Sequence, residues 1–297
     1  MAKKKYSNST VSTAKGLVPM DDALFQEMCE DKELCEEMIS TILDEKVKVI
    51  EVVPQRSIGN IKGRAVRLDC LCLLENGTYV NVEVQKTDND DHEARVRYNA
   101  ALVATRNTPK GVKFAMAKKV IVIFITRFDI FGEGLPIYHV DRVVRETGKV
   151  RDNGFTEIYV NATVKNYVGT LNTNVSNLMD LFVDRTTMNP EKFPNFSRVK
   201  NWYVNTKEGM TKMCDKLESF RQEAQKNAVR KFAFRGVQDG AISVAYAARE
   251  LNMTVEEFLT EMVSEEYKLP KWLSQGNTAK DEETFESEEE NPTCEED

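Results

Sequence analysis

Apolar and polar positions recur with two different periods along the 297-residue chain, and the changes of period mark its elements. Residues 21–44 place Leu24, Phe25, Met28, Cys35, Met38, Ile39 and Ile42 at near-helical spacing, which predicts one helix or two abutting helices. Asp21 and Asp22 suit the start of such a helix, where acids offset the dipole. Val47 to Val53 is rich in β-branched residues and stops at Pro54, and residues 55–64 read as a loop. Val66 to Leu74 and Thr78 to Gln85 read as strands joined at Asn76-Gly77, a hairpin signature. Residues 92–106 predict a helix, with Ala94, Val96, Tyr98, Ala101, Leu102 and Val103 as packing positions. Val120 to Thr126 is a continuous apolar run of strand length, expected of a central strand buried on both faces. Ile137 to Val144 and Glu157 to Val164 predict further strands. Beyond residue 170 the strand signals fade. Residues 175–235 read as helices interrupted at Asn189-Pro190 and Pro194, and residues 237–265 as a helical pair. Thr254 and Glu257 form a capping-box pattern at the start of the last helix. The predicted fold class is α/β: a mixed sheet with a crossing helix, then an all-helical C-terminal region.

Composition narrows the chemistry. Six cysteines are spread along the chain without a Cys-x2-Cys pair, and there are only two histidines, His92 and His139. That spacing argues against a disulfide framework and against a zinc site, and fits a reducing cytoplasm. Scarce histidine disfavours triad catalysis, which leaves carboxylates and a metal. The longest apolar run, Val120 to Ile125, is far short of the roughly 20 residues of a membrane span. The first twenty residues lack the apolar stretch of a secretory signal. No membrane contact is expected, and the expected location is cytoplasmic.

The net charge of −7 is uneven: residues 274–297 hold ten acids and one lysine, which leaves the rest of the chain at +2. A near-neutral body neither demands nor excludes a phosphate-bearing partner. The acidic end reads either as a solvated, disordered tail or as an internal competitor for a basic groove. The organisation expected is a flexible basic arm (1–20), a core (21–170), a helical region (171–270) and an acidic disordered tail (271–297).

The hairpin carries the chemistry. Side chains alternate on a strand, so Glu83 and Gln85 share one face, extended by Asn81, while Val82 and Val84 share the other. An acid on the neighbouring strand, Asp69, could meet Glu83 at a hard-cation site, with the Val84 carbonyl as a further ligand. Magnesium held there would activate water and clamp a scissile phosphate. Register decides whether the acids meet. A two-residue loop at Asn76-Gly77 opposes Asp69 to Val84 and puts the acids on opposite faces. A three-residue loop over residues 76–78 pairs Asp69 with Gln85 and Leu71 with Glu83, restoring one face. An odd-length loop or a bulge is therefore predicted. From spacing alone a second reading stands: acids on the solvated face of an amphipathic hairpin.

Five ordered blocks resemble a known family. Asp22-Ala23-Leu24-Phe25, Arg67-Leu68-Asp69, Val82-Glu83-Val84-Gln85, Arg95-Val96-Arg97-Tyr98 and the run from Phe128 to Tyr138 resemble the PD-(D/E)XK nuclease family transposases, relatives of the recombination-promoting nucleases. The resemblance spans about residues 20–165. It implies a restriction-endonuclease-like core and a Mg²⁺- or Mn²⁺-dependent endonuclease that hydrolyses DNA in recombination or transposition. By position, Asp69 and Glu83 take the metal-binding acids, Gln85 the place of the motif lysine, and Asp22 a family acid at the start of the first helix. Arg95 and Lys86 are the expected phosphate contacts, although Lys86 points to the other face unless the strand has ended. Asn99 stands where relatives often carry an aromatic after Tyr98, a departure expected to affect packing more than chemistry.

Gln85 supplies no positive charge, so a second class of function remains: a nuclease fold without strong cleavage, acting as a nucleic-acid-binding or protein-interaction module. Other signals read as structural. His92, after Asp88, Asp90 and Asp91, is expected at a polar helix start. Cys70 and Cys72 are expected as core thiols on the face opposite Asp69. Gly132, Gly134 and Pro136 should turn the chain between strands rather than bind phosphate. The last helix carries Glu256, Glu257 and Glu261 and no arginine, unlike a helix that reads the major groove. The C-terminal helices read instead as a structural or oligomerising module, a candidate for a homodimer contact, with the oligomeric state left open.

Overall fold

The computed structural model describes residues 6–54, 57–60, 63–89, 91–164 and 173–269. Contacts divide the chain into two compact units, residues 1–217 and 218–297.

The first unit is built on a mixed sheet of six strands. These are β1 (Val49–Pro54), β4 (Cys70–Leu74), β5 (Tyr79–Gln85), β6 (Val120–Thr126), β7 (Ile137–Val140) and β10 (Phe155–Asn161), in the order β1-β4-β5-β6-β10-β7. Strands β5 and β10 flank β6 in parallel, and the other neighbours are antiparallel. The apolar run Val120 to Thr126 is thus a central strand, buried on both faces except at Ile121. Helix α4 (His92–Asn107) makes the crossover from β5 to β6, as a parallel pair requires. It packs Val96, Ala100, Leu102 and Val103 with Leu71, Val122, Phe124 and Tyr159 of the sheet. Fully burying one such side chain contributes about 1.5–3 kcal/mol.

Residues 21–44 form two abutting helices, α2 (Asp22–Met28) and α3 (Lys32–Leu43). The carboxylate of Asp31 restarts the helix by accepting from Leu34 N at 2.9 Å. Helices α5 (Thr173–Val183) and α6 (Pro194–Asn205) belong to the same unit. Glu37 of α3 accepts from the free amides of Asn195 and Phe196 at 3.2 and 2.8 Å, a favourable place for an acid. Lys200 of α6, fully buried, closes the C-terminal end of α5 and the turn after it by donating to the carbonyls of Leu181, Asp184 and Thr187. The compact unit therefore runs past residue 170, where the sequence pattern suggests a boundary. It ends inside α7 (Lys207–Gln238), because α5 and α6 bury their apolar faces within it.

Four other expectations are corrected. The loose arm contains a helix, α1 (Asn8–Gly16), and the described part of residues 1–20 is not featureless. Its Ser/Thr-rich sequence hides the signal, yet Ser7 caps Thr10 N at 3.0 Å and Arg185 donates to the carbonyls of Ala14 and Leu17. The loop expected at 55–64 carries strand β2 (Ser57–Asn60), paired with β3 (Gly63–Arg67) in a separate two-stranded sheet. The strand expected over Val66 to Leu74 is accordingly broken at Leu68-Asp69. The segment Ile137 to Val144 also divides, into β7 and β8 (Val143–Val144), the latter pairing with β9 (Lys149–Val150). Residues 165–172 and the acidic tail, 271–297, lie outside the described residues.

In the second unit, α8 (Val244–Glu250) and α9 (Val255–Ser264) form the expected pair. Phe234, Val237, Val244, Ala247, Phe258 and Met262 make its core. Both hydrogen bonds of the Thr254–Glu257 capping box are present.

The hairpin loop is three residues long, as an odd count requires. Leu74 N donates to Thr78 O at 2.9 Å, and Glu75, Asn76 and Gly77 form the turn. It lies one residue earlier than the three-residue alternative, so the strands pair Cys70 with Val82 and Leu71 with Asn81. Gly77 sits at φ +82°, a conformation that costs an L-residue about 1–2 kcal/mol. Gly77→Ala should lower unfolding free energy by about that amount in urea titration. An unchanged midpoint would contradict this turn.

Candidate active site

Extending the observed register by one residue past the start of β4 sets Asp69 opposite Glu83 of β5. The acids thus share a face, as an odd loop demands, but Asp69 faces Glu83 rather than Gln85. Neither belongs to a solvated surface: Asp69 is 8 % exposed and Glu83 3 %. The break between β3 and β4 frees the Asp69 carboxylate to bond sideways. One oxygen accepts from Val84 N at 3.1 Å and the other from Gln26 Nε2 of α2 at 3.0 Å. Glu83 Oε1 accepts from Asn81 Nδ2 at 2.9 Å and from Asn99 Nδ2 of α4 at 3.5 Å.

The electrostatics follow from burial. Desolvation, aided by the charge of Asp22, pushes the Asp69 carboxyl up to about 6. Desolvation and the charge of Asp69 push Glu83 up to about 8. Burial, with the neighbouring Asp21 charge, raises Asp22 as well. Arg95 of α4 is the cation that favours the ionised form of all three acids. Its guanidinium donates to Gln85 Oε1 at 3.1 Å and lies over the Phe124 ring at 5.8 Å. Gln85 is held at its other end, Nε2 donating to Thr87 O at 2.8 Å. Lys86, one residue beyond the end of β5, pairs with Asp21. A cleft of about 640 Å³ opens beside the site, lined by Arg67, Arg95, Arg97, Tyr98 and Asn99.

The site residues expected from the sequence therefore separate into three groups. Asp22, Asp69, Glu83 and Arg95 interact with one another. Gln85 joins them through Arg95. Lys86 stands at the rim, engaged with Asp21. Three amides belong to the site that the motif pattern does not assign: Gln26, Asn81 and Asn99. Asn81 was legible as an extension of the Glu83 face. Gln26 lies one helical turn after Asp22, a spacing that puts both on one face of α2. Asn99, read as a packing departure, instead reaches Glu83 from α4. The donor set suits a hard cation. Two opposed carboxylates hold little local positive charge, and the buried side-chain oxygens of Gln26 and Asn81 lack a partner. His92 is structural, its buried ring 5.5 Å from Phe124 and 4.9 Å from Phe128 and bonded to Asp88. The glycine segment is a turn: Asp129 accepts from the amides of Phe131, Gly132 and Gly134 and from the Tyr138 hydroxyl.

A mixed sheet flanked by helices, with opposed acids at the end of two central strands, is the architecture of a PD-(D/E)XK nuclease core. A model of the family described as PD-(D/E)XK nuclease family transposase matches residues 22–233, and the chain belongs to that family. Comparison with curated proteins and with solved structures finds no match. Nucleases of this class generally use divalent metal ions. No helix among the described residues is long and apolar enough to cross a membrane.

The raised acids set a pH dependence. In the folded chain Asp69 and Glu83 hold protons more tightly than in the unfolded chain, so metal-free protein loses stability as pH rises through about 6 and then about 8. Glu83→Gln should remove the upper part of that loss, measured by urea unfolding at pH 6 and pH 9. Parallel pH profiles for wild type and variant would contradict the buried acid pair.

Proposed function

We propose that the protein is a divalent-metal-dependent endonuclease that hydrolyses DNA phosphodiesters, and that this activity serves recombination or transposition. The observation that carries the reading is the direct opposition of Asp69 and Glu83, buried together beside an arginine-lined cleft. Asp69, Glu83 and the Val84 carbonyl are the groups that would hold Mg²⁺ or Mn²⁺, with Asp22 close enough to act on the same charge. Bound there, the cation would supply Lewis acidity toward the phosphate and a more acidic water.

The chain's own groups perform the rest. Gln26 and the Val84 amide hold Asp69 in one orientation. Asn81 and Asn99 do so for Glu83. Gln85 presents the Arg95 guanidinium, which provides the positive charge that the motif lysine would otherwise bring to the reacting phosphate. Arg67 and Arg97 suit contacts to the DNA backbone, which position without reading sequence. Lys86 is a weaker phosphate contact because Asp21 already engages it. The reading is direct attack by water and needs no covalent intermediate.

The test is nicking of supercoiled plasmid with Mg²⁺ or Mn²⁺. Asp69→Asn or Glu83→Gln should lower the rate on the order of 100-fold or more, and Arg95→Ala should lower it without abolishing metal binding. At limiting metal the rate should climb from pH 6 to about 8 as Glu83 gives up its proton. Equal cleavage by wild type and both acid variants would overturn the proposal. The two hydrogen bonds that already occupy Gln85 favour the second reading, a nuclease fold that binds nucleic acid without cutting. Metal-independent DNA binding with no nicking in any metal would select it. Under either reading, Arg97→Ala should weaken DNA binding and reduce the salt slope of the binding constant by about 1. An unchanged slope would remove Arg97 from the interface.

A further inference from the structure

Behind the acid pair, on the opposite face of the sheet, four of the six cysteines converge. Cys29 ends α2, Cys35 lies in the first turns of α3, and Cys70 and Cys72 share the inner face of β4, all fully buried. Sγ of Cys35 lies 3.9 Å from Sγ of Cys70, which lies 3.7 Å from Sγ of Cys72. The sulfurs of Cys29, Cys35 and Cys70 all fall within 4.8 Å of one another. A disulfide would bring two sulfurs to about 2.05 Å. Four sulfurs each about 2.3 Å from a central tetrahedral ion stand about 3.8 Å apart, which the Cys35–Cys70 and Cys70–Cys72 separations match, while Cys72 lies outside the group of three that are all mutually close.

We propose that Cys29, Cys35 and Cys70 form a thiolate site for zinc, which Cys72, beside Cys70, closes as the fourth ligand by a small shift of its side chain. Ordinary core filling requires only small apolar side chains at these positions, with no reason for sulfur on three separate elements to meet at one point. Sulfur ligands select zinc or another soft ion over the hard cations suited to the acid pair. Cys35 sits near the start of α3, where the helix dipole favours a thiolate. Its thiol donates to the Cys29 carbonyl at 3.5 Å, and that proton, with those of the other ligating thiols, leaves to solvent when zinc binds. The sequence spacing argues against zinc because no Cys-x2-Cys pair exists; the packing of α2 and α3 on β4 supplies the proximity instead. Zinc there clamps together α2, which carries Asp22 and Gln26, and β4, which begins beside Asp69. The site is structural and independent of the nuclease reading.

The experiment uses the full chain. Metal content is measured on protein purified without chelator, and Co²⁺ or Cd²⁺ is added during refolding as a spectroscopic probe. One zinc ion per chain is expected, together with the visible bands of tetrahedral cobalt-thiolate or the ultraviolet charge-transfer band of cadmium-thiolate. Cys35→Ser and Cys70→Ser should lose both signals, while Asp69→Asn and Cys214→Ser keep them. Removing the metal should lower the Tm of wild type. Absence of metal and of thiolate bands in the wild-type chain overturns the proposal, whether or not the cysteine variants fold. So does retention of the bands in both cysteine variants. An intact mass short by two hydrogens, the mark of a disulfide, overturns it in favour of a redox pair.

Discussion

Two carboxylates facing each other across adjacent strands, both out of water, are the constraint on which the rest of this structure depends. Like charges in a low-dielectric interior repel, and each also loses hydration. The chain tolerates the arrangement because polar groups surround it. Amides of Gln26, Asn81, Asn99 and Val84 donate to the acids, and Arg95 supplies a nearby positive charge. Even so, both acids keep protons well above the usual carboxylate range. A site that holds its protons this tightly is one that a cation would relieve.

The fold is arranged around that point. The parallel pair β5–β6 needs the α4 crossover, and α4 delivers Arg95 and Asn99 to the β5 face that bears Glu83. The strand break at Leu68-Asp69 ends the β4 ladder at Asp69, whose carboxylate instead accepts from Gln26 and the Val84 amide. Helix α2 brings Asp22 and Gln26 to the same place, held from behind by packing that includes Phe25 against Phe182. The three-residue turn at Glu75–Gly77 fixes the register, and a shift of one residue would send Asp69 and Glu83 to opposite faces.

Much of this was legible in the sequence. Strand alternation put Glu83 and Gln85 on one face, and the requirement for an odd-length loop followed from Asn76-Gly77 together with the positions of the acids. The pairing itself was offset, because Gly77 takes the last rather than the middle place of the turn, and no local pattern distinguishes the two. The ordered blocks from Asp22 to Tyr138 identified the family, whose match extends over residues 22–233. Long-range choices escaped. Nothing near Gln26 or Asn99 announces that they reach Asp69 and Glu83, since those contacts arise only when α2 and α4 pack at the strand ends. Helix α1 depends on Arg185, far along the chain, to satisfy its last carbonyls. The meeting of Cys29, Cys35, Cys70 and Cys72 likewise exists only in three dimensions.

A crystal structure of the full chain grown with Mn²⁺, with anomalous scattering recorded at the manganese edge, tests the central claim most directly. The expected result is an anomalous peak at the Asp69 and Glu83 carboxylates. Saturating Mn²⁺ that leaves this position without a peak, while Asp69 and Glu83 keep their amide partners, would contradict it.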